Sequence, residues 1–436
     1  MIRVVVYIIF LATGIASCGP SKKGLFADKR TEHGKYGDRI REAGFDKTPM
    51  GIAWFAAAQR SLQAPLNITL PYKETGYFKS EEPSSSGYIF NARRGDRVSI
   101  NIVVVPDTTK QFFGDLWKSE PSSASTEHLA SIDSAKKIIY DVEEDGSYIM
   151  RVQPALLEAV EYTLTINTGP SLAFPVSETG NPRLISFWSD PRDGGARRHE
   201  GVDITAKFRT PAVAGADGVV SRVMENRLGG KVIFMRPTGK NYSLYYAHLD
   251  SQIVSSGDVV KAGQVLGLVG NTGNAKGTVP HLHFGIYGFG GAVDPLPFVD
   301  PRRKEPPPLQ MAVDNIGKWM NVTANTRLLG AARAMNDSTV QLKKGSALMV
   351  LGATDTYYKV RLPDGTEGFI EGKKTSANKI NTVTLDKDER VLNAPDLSAA
   401  AVKTVEKENT LEVLGTFGDF LLVKLEEDFG WVNTAF

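Results

Sequence analysis

A chain of 436 residues has room for roughly three domains of ordinary size, and its 42% hydrophobic and 23% charged residues exclude a disordered polyelectrolyte. Fifty-one Lys and Arg against 49 Asp and Glu leave a formal charge of +2, which gives no electrostatic case for a nucleic-acid partner, since such surfaces are usually basic. Forty-two glycines and no long helical repeat point to strands and turns, and a single cysteine, Cys18, excludes an intramolecular disulfide.

The chain opens MIRVVVYIIFLATGIASCGP. Arg3 supplies a positive charge, Val4 to Ala12 form an apolar run and small residues lead to Cys18, which is the layout of an export signal. The run is shorter than the ~20 residues a membrane span needs. IASC resembles the lipobox of bacterial lipoproteins, which implies a mature chain starting at a lipidated Cys18 and tethered to a membrane in the cell envelope, on its periplasmic or surface side. An ordinary cleaved signal and an uncleaved anchor are the alternatives.

Residues 19–48 are charged and without periodicity, so 19–65 is expected to be a tether ending in one short helix, Thr48 to Gln63. Thr48 can cap that helix, Pro49 suits its first position, and the alanines favour it. From 66 to 170 the pattern has period two, as in YIFNARRGDRVSINIVVV, GSYIMRVQP and EYTLTINTG, which predicts a β-sandwich accessory domain. PSSASTEHLASIDS within it reads as loop. EEDGSYIMRVQP is loosely similar to bacterial pre-peptidase-type sandwiches.

Residues 171–300 carry short apolar runs, many glycines and four of the six histidines. DPRRKEPPPLQ opens a proline-rich linker over 301–320. The rest is a structural unit used twice, over 321–377 and 378–436. VQLKKGSALMVLG matches VKTVEKENTLEVLG, and YKVRLPDGTEGFIEG matches LLVKLEEDFGWVNT. The pattern resembles bacterial SH3-like barrels, which often accompany cell-wall enzymes. The aromatics Phe369 and Trp431 either pack the cores or face a ligand.

The chemistry is concentrated around PHLHFGIY, Pro280 to Tyr287. On a strand, His281 and His283 point to one face, with Gly285 leaving room beside them, and Leu282, Phe284 and Ile286 point to the other. Their Cα atoms would be about 6.5–7 Å apart, so both imidazoles can border one small site. A zinc site needs about three protein ligands plus water. RRHEGVDITA offers His199 and Asp203, four apart. It is not the helical H-E-x-x-H motif, because position 203 is Asp and Gly201 weakens a helix. Glu200 is therefore read as a solvated carboxylate near Arg197 and Arg198 rather than as a general base. In SLYYAHLDS, alternation puts Tyr246 and His248 on one face, Tyr245 and Ala247 on the other. Four histidines and one aspartate from three strand-like segments are thus expected to share a site. VGNTGNAKG lacks G-K-[ST] and reads as a turn. Asp250 and Asp294 are assigned to turns, and His33 and His128 are read as incidental.

HEGVD, YAH and HLH together resemble the lysostaphin-type (LytM-type) zinc metallopeptidases, a family of peptidoglycan endopeptidases. GGARRHEGVDI, TPAVAGADGVVSRV, GDVVKAGQVLGLVGNTG and AVDPLPFV agree with it, and the likeness spans roughly residues 190–300. The resemblance implies that His199, Asp203 and His283 hold one Zn2+ per chain. It also implies that His248 and His281 are non-ligand histidines that handle protons; Tyr246 either lines the groove or packs. The segment NTGNAKGTVPHLHF is longer than the family's common form, and Gly285 stands where many members have Glu. The implied function is an exported endopeptidase cutting peptide bonds in peptidoglycan cross-links. A silent wall-binding scaffold or amidase activator, and a zinc peptidase acting on proteins, are the alternatives. The expected fold is mainly β and multi-domain: a β-sandwich, an antiparallel metallopeptidase sheet with a groove, and two small SH3-like barrels.

Overall fold

The computed structural model describes residues 30–106, 111–120, 125–302, 304–332, 338–426 and 428–434. The export signal, Cys18 and residues 19–29 of the expected tether lie outside the described residues. The short helix expected from Thr48 to Gln63 is present, but the described residues before it are structured rather than a tether. Residues 32–42 form helix α1 (Glu32–Glu42), followed by α2 (Pro49–Gln63). Thr31 and Thr48 cap the two helices through their hydroxyls. What spacing of charges hid is an apolar stripe. His33 and Ile40 of α1 are buried with Trp54 of α2 and Phe113. His33 Nε2 lies 2.7 Å from Gln153 Oε1, and its ring stacks on Trp54 at 4.6 Å. Histidine here is an anchor, not an incidental residue.

Strands β1 (Leu66–Asn67), β2 (Tyr72–Phe78), β3 (Ser86–Ala92), β4 (Asp96–Val105), β5 (Phe112–Glu120), β6 (Ser125–Ser131), β7 (Lys137–Asp141), β8 (Gly146–Pro154) and β9 (Val160–Pro170) follow. They form two sheets, one ordered β1-β3-β8-β5-β6 and the other containing β2-β9-β4-β7. Period two explains the packing: Val98, Ile100, Ile102 and Val104 of β4 and Val160, Tyr162, Leu164 and Ile166 of β9 are all buried in one core. The loop expected across 121–134 is in part strand β6. Its pairing with β5 has a register shift between Leu116 and Trp117, and that break masks the alternation.

The third sheet uses β10 (Arg183–Ser186), the hairpin β11 (Pro191–Arg192) and β12 (Arg197–Arg198), β13 (Val202–Thr205), β14 (Pro211–Val213), β15 (Gly218–Asn226), β16 (Gly230–Pro237), β17 (Tyr242–Gln252), β18 (Val259–Val260), β19 (Val265–Val269), β20 (His281–Gly288) and β21 (Gly291–Val293). Its order is β10-β13-β20-β17-β16-β15-β18, with β11 and β12 pairing separately. Val202, Ile204, Leu244, Leu282, Phe284 and Ile286 are fully buried on one face of it. That face fixes the sheet and leaves the other free for polar groups.

The C-terminal repeat is visible in topology. β22 (Trp319–Val322), β23 (Thr326–Leu329), β24 (Ser338–Leu342), β25 (Ala347–Ala353), β26 (Tyr357–Arg361), β27 (Glu367–Glu371) and β28 (Thr375–Ser376) make the first unit. β29 (Asn381–Thr384), β30 (Glu389–Leu392), β31 (Ala401–Val405), β32 (Thr410–Phe417), β33 (Phe420–Lys424) and β34 (Phe429–Asn433) make the second. The first runs β24-β23-β27-β26-β25-β22 and the second β31-β30-β34-β33-β32-β29, which is the same order. Phe369 and Trp431 occupy matching strands, and both are buried in cores. The first unit is joined to the sandwich: β25 pairs with β2 through Thr75–Ala353 and Gly76–Gly352. Lys359 lies under that seam, its ammonium within hydrogen-bond distance of Glu74 Oε1 (2.6 Å), Tyr88 OH (2.8 Å), Tyr162 OH (2.9 Å) and Ser86 Oγ (3.1 Å).

Candidate metal centre

β13 and β20 run antiparallel with Asp203 opposite His283 and Thr205 opposite His281. Opposed residues share a face, so Asp203, His281 and His283 point away from the apolar core. His199 precedes β13 and is held by the β11–β12 hairpin: its N–H donates to the Asp190 carbonyl, and its carbonyl accepts from Ser189 N, both at 2.9 Å. Gly201 lets the connecting loop sit on His283. A Cβ there would lie 2.6 Å from His283 Cε1 and 2.7 Å from the Phe284 carbonyl.

These contacts bring three ligand-type atoms together. His199 Nε2 is 3.1 Å from Asp203 Oδ1 and 3.0 Å from His283 Nδ1, and His283 Nδ1 is 3.0 Å from Asp203 Oδ1. The Phe187 carbonyl, 2.8 Å from His199 Nδ1, can only accept, so that nitrogen carries the proton and Nε2 presents a lone pair. A lone pair facing a carboxylate oxygen and a second imidazole nitrogen is a repulsive arrangement unless a cation lies among them. Two imidazoles and a carboxylate form a common donor set for catalytic zinc. The residues therefore fit a divalent metal, and their ligand atoms all lie within 4.8 Å of one another.

His248 and His281 stand beside this triangle. Their rings are 5.0 Å apart, and that of His248 is 5.9 Å from His283. Each donates Nδ1–H to a main-chain carbonyl, His248 to Thr272 (2.9 Å) and His281 to Val279 (2.8 Å), which leaves both Nε2 atoms unprotonated when neutral. Burial, with the neighbouring His281 and His283, pushes His248 down to about 4. Burial also lowers His283. Burial acts to raise the Asp203 carboxyl, but the His199 and His283 ring nitrogens beside it outweigh burial and hold it well below the usual carboxylate range.

Strict alternation fails in β17. Tyr246 is opposite Phe284 and is fully buried; its hydroxyl accepts from Gly215 N at 2.9 Å. It does not line a groove. His248 escapes the same buried face because its backbone turns to φ 62°, a left-handed conformation rare for a non-glycine residue. Tyr245 is the tyrosine beside the centre, its ring 5.9 Å from that of His283. Arg192 was not legible from spacing either: its Nη2 donates to Asp203 Oδ2 at 2.8 Å. Glu200 is exposed, in keeping with a solvated role. Asp294 Oδ1 accepts from Leu296 N in a turn. Asp250 lies within β17 rather than a turn and is 3.4 Å from Arg209. His128 has a partner as well, Ser131 at 3.0 Å.

Residues 197–295 match the family model described as Peptidase family M23, so the chain contains a domain of that kind. An L-Ala--D-Glu endopeptidase of Bacillus subtilis is 38% identical over 137 residues, 29% of this chain and 42% of that protein. Peptidoglycan DD-endopeptidase ShyC of Vibrio cholerae is 37% identical over 109 residues, 25% of this chain and 24% of that one. The chain spans less than half the length of these curated relatives. Among solved structures, the catalytic domain of lysostaphin from Staphylococcus simulans is 32% identical, covering 27% of this chain and 92% of that one with a TM-score of 0.25.

Proposed function

We propose that this chain is a zinc-dependent endopeptidase that hydrolyses peptide bonds in peptidoglycan cross-links. The observation that carries the reading is the mutual 3.0–3.1 Å approach of His199 Nε2, Asp203 Oδ1 and His283 Nδ1, with two further imidazoles at hand. His199, Asp203 and His283 would hold the metal with a net charge of +1, which when bound supplies Lewis acidity toward an amide carbonyl and toward water.

The chain's own residues divide the remaining work. With Nδ1–H of His248 and His281 tied to carbonyls, each Nε2 can take one proton and hold it. One imidazole accepts a proton from the attacking water and returns it to the amine that leaves as the C–N bond breaks. The other, protonated at Nε2, donates to the carbonyl oxygen as charge develops there. The desolvation that depresses His248 keeps it neutral at pH 7 and therefore competent as an acceptor.

The wall as substrate is supported by the name of one relative, peptidoglycan DD-endopeptidase ShyC. The lipobox-like Cys18 and the shared strand order of units 321–377 and 378–436, which we read as SH3-like modules, fit an anchored enzyme of the cell envelope. All three ligand positions are filled, which disfavours a silent scaffold. Purified cross-linked muropeptides incubated with the protein should yield cleaved peptides by mass spectrometry. Chelator should stop the reaction and zinc should restore it. Equal cleavage by metal-stripped protein would overturn the proposal.

A further inference from the structure

Arg192, the last residue of β11, uses one nitrogen twice. Its Nη2 donates to Asp203 Oδ2 at 2.8 Å and to Ser186 Oγ at 2.7 Å. Ser186 in turn donates to Asp190 Oδ2 at 2.6 Å, which also accepts from Phe187 N at 2.8 Å. The carbonyls of that same loop hold His199: Asp190 O takes its main-chain N–H and Phe187 O takes its Nδ1–H. One hydrogen-bonded strap thus orients the imidazole of His199 and the carboxylate of Asp203 together.

From this geometry we infer that Arg192 is a positioning residue that makes Asp203 a one-oxygen ligand; the inference rests on reading His199, Asp203 and His283 as the metal set. With Oδ2 engaged by the guanidinium, Oδ1 alone faces the two imidazole nitrogens. Arginine suits the task because its planar, permanently charged fork can reach a carboxylate and a hydroxyl in one fixed geometry, which a lysine ammonium does less rigidly. Without it, Asp203 can rotate and offer both oxygens. The competing account is an ordinary half-exposed ion pair, since Arg192 is 31% exposed. Such a pair contributes little and would not alter metal binding.

The test measures metal alone, without substrate. Zinc dissociation constants of the full chain are obtained by competition with a chromophoric chelator for wild type, Arg192→Met and Arg192→Lys, with circular dichroism and melting to verify folding. Arg192→Met should bind zinc about 10–100-fold more weakly, and Arg192→Lys should recover part of the loss. Visible absorption of the cobalt(II)-loaded proteins should weaken in Arg192→Met, as a second carboxylate oxygen raises the coordination number. Wild-type binding with an unchanged constant and unchanged cobalt spectrum in a folded Arg192→Met protein overturns the role of Arg192 alone. Failure of wild type to bind zinc overturns the metal-site reading and this inference with it.

Discussion

The imidazoles of His248 and His281 lie edge to face with their centres 5.0 Å apart, although Tyr246, two residues before His248, points into the core. Because both rings have Nδ1 fixed on a carbonyl and neither belongs to the 3.0–3.1 Å triangle, their loss should separate chemistry from metal binding. His248→Gln and His281→Gln are expected to retain one zinc per chain while kcat falls about 10²–10⁴-fold. His283→Ala should lose metal and activity together. Zinc content by elemental analysis beside kcat checks both halves.

The parts of this centre that a sequence displays are those governed by strand alternation. HLH places two imidazoles on one face because β20 is regular, and the buried Leu282, Phe284 and Ile286 hold it so. HEGVD is legible because Asp203 lies on a regular strand opposite His283. Alternation puts Tyr246 and His248 on one face, and the structure parts them because alternation assumes extended backbone and His248 sits at φ 62°, leaving Tyr246 to pack. Arg192 reaches Asp203 only because a hairpin folds back, and no local period encodes that. The sandwich followed from period two in β4 and β9. Helix α1 has no legible apolar period, because its buried stripe is built of a histidine, a glycine and one isoleucine.

Gly201→Ala should damage the centre without touching a ligand. The added Cβ would lie 2.6 Å from His283 Cε1 and 2.8 Å from its Nε2, with the Phe284 carbonyl at 2.7 Å, so the imidazole must move. Disturbing a group that orients a metal ligand typically costs about 10–100-fold in metal affinity. Gly290→Ala is the control, since nothing lies within 4 Å of a Cβ there and its φ is unexceptional. Chelator competition on the two variants should show weaker zinc binding only in Gly201→Ala.

His33 predicts acid sensitivity of the N-terminal helices. Burial, with the charge of Arg151, lowers it from 6.5 to about 4. The unfolded chain therefore binds a proton that the folded chain refuses between these values. Stability is complete above pH 6.5, falls as pH drops toward 4, and the total loss is about 3 kcal/mol. Trp54, stacked on His33 at 4.6 Å, reports the event. Denaturant midpoints followed by tryptophan fluorescence should fall between pH 6.5 and 4 in wild type, with a shallower slope in His33→Gln.

The seam between the sandwich and the first repeat unit should depend on Lys359. Its ammonium is 1% exposed and its partner Glu74 is fully buried. Tyr72 and Tyr88 also donate to that carboxylate, and Tyr88 and Tyr162 hydroxyls lie 2.9 Å apart. Lys359→Met leaves Glu74 as a buried charge without its cation, a change that typically costs about 3–5 kcal/mol. Adding Glu74→Gln removes the charge and keeps an acceptor for the tyrosines, so the double variant should be more stable than Lys359→Met alone. Because β25 continues the sheet that begins at β2, the loss should appear as cooperative weakening of both parts. Urea unfolding, read by Trp117 in the sandwich and Trp319 in the repeat, should give one shared transition in wild type. A Lys359→Met protein as stable as wild type would show that the ion pair contributes nothing to holding the two parts together.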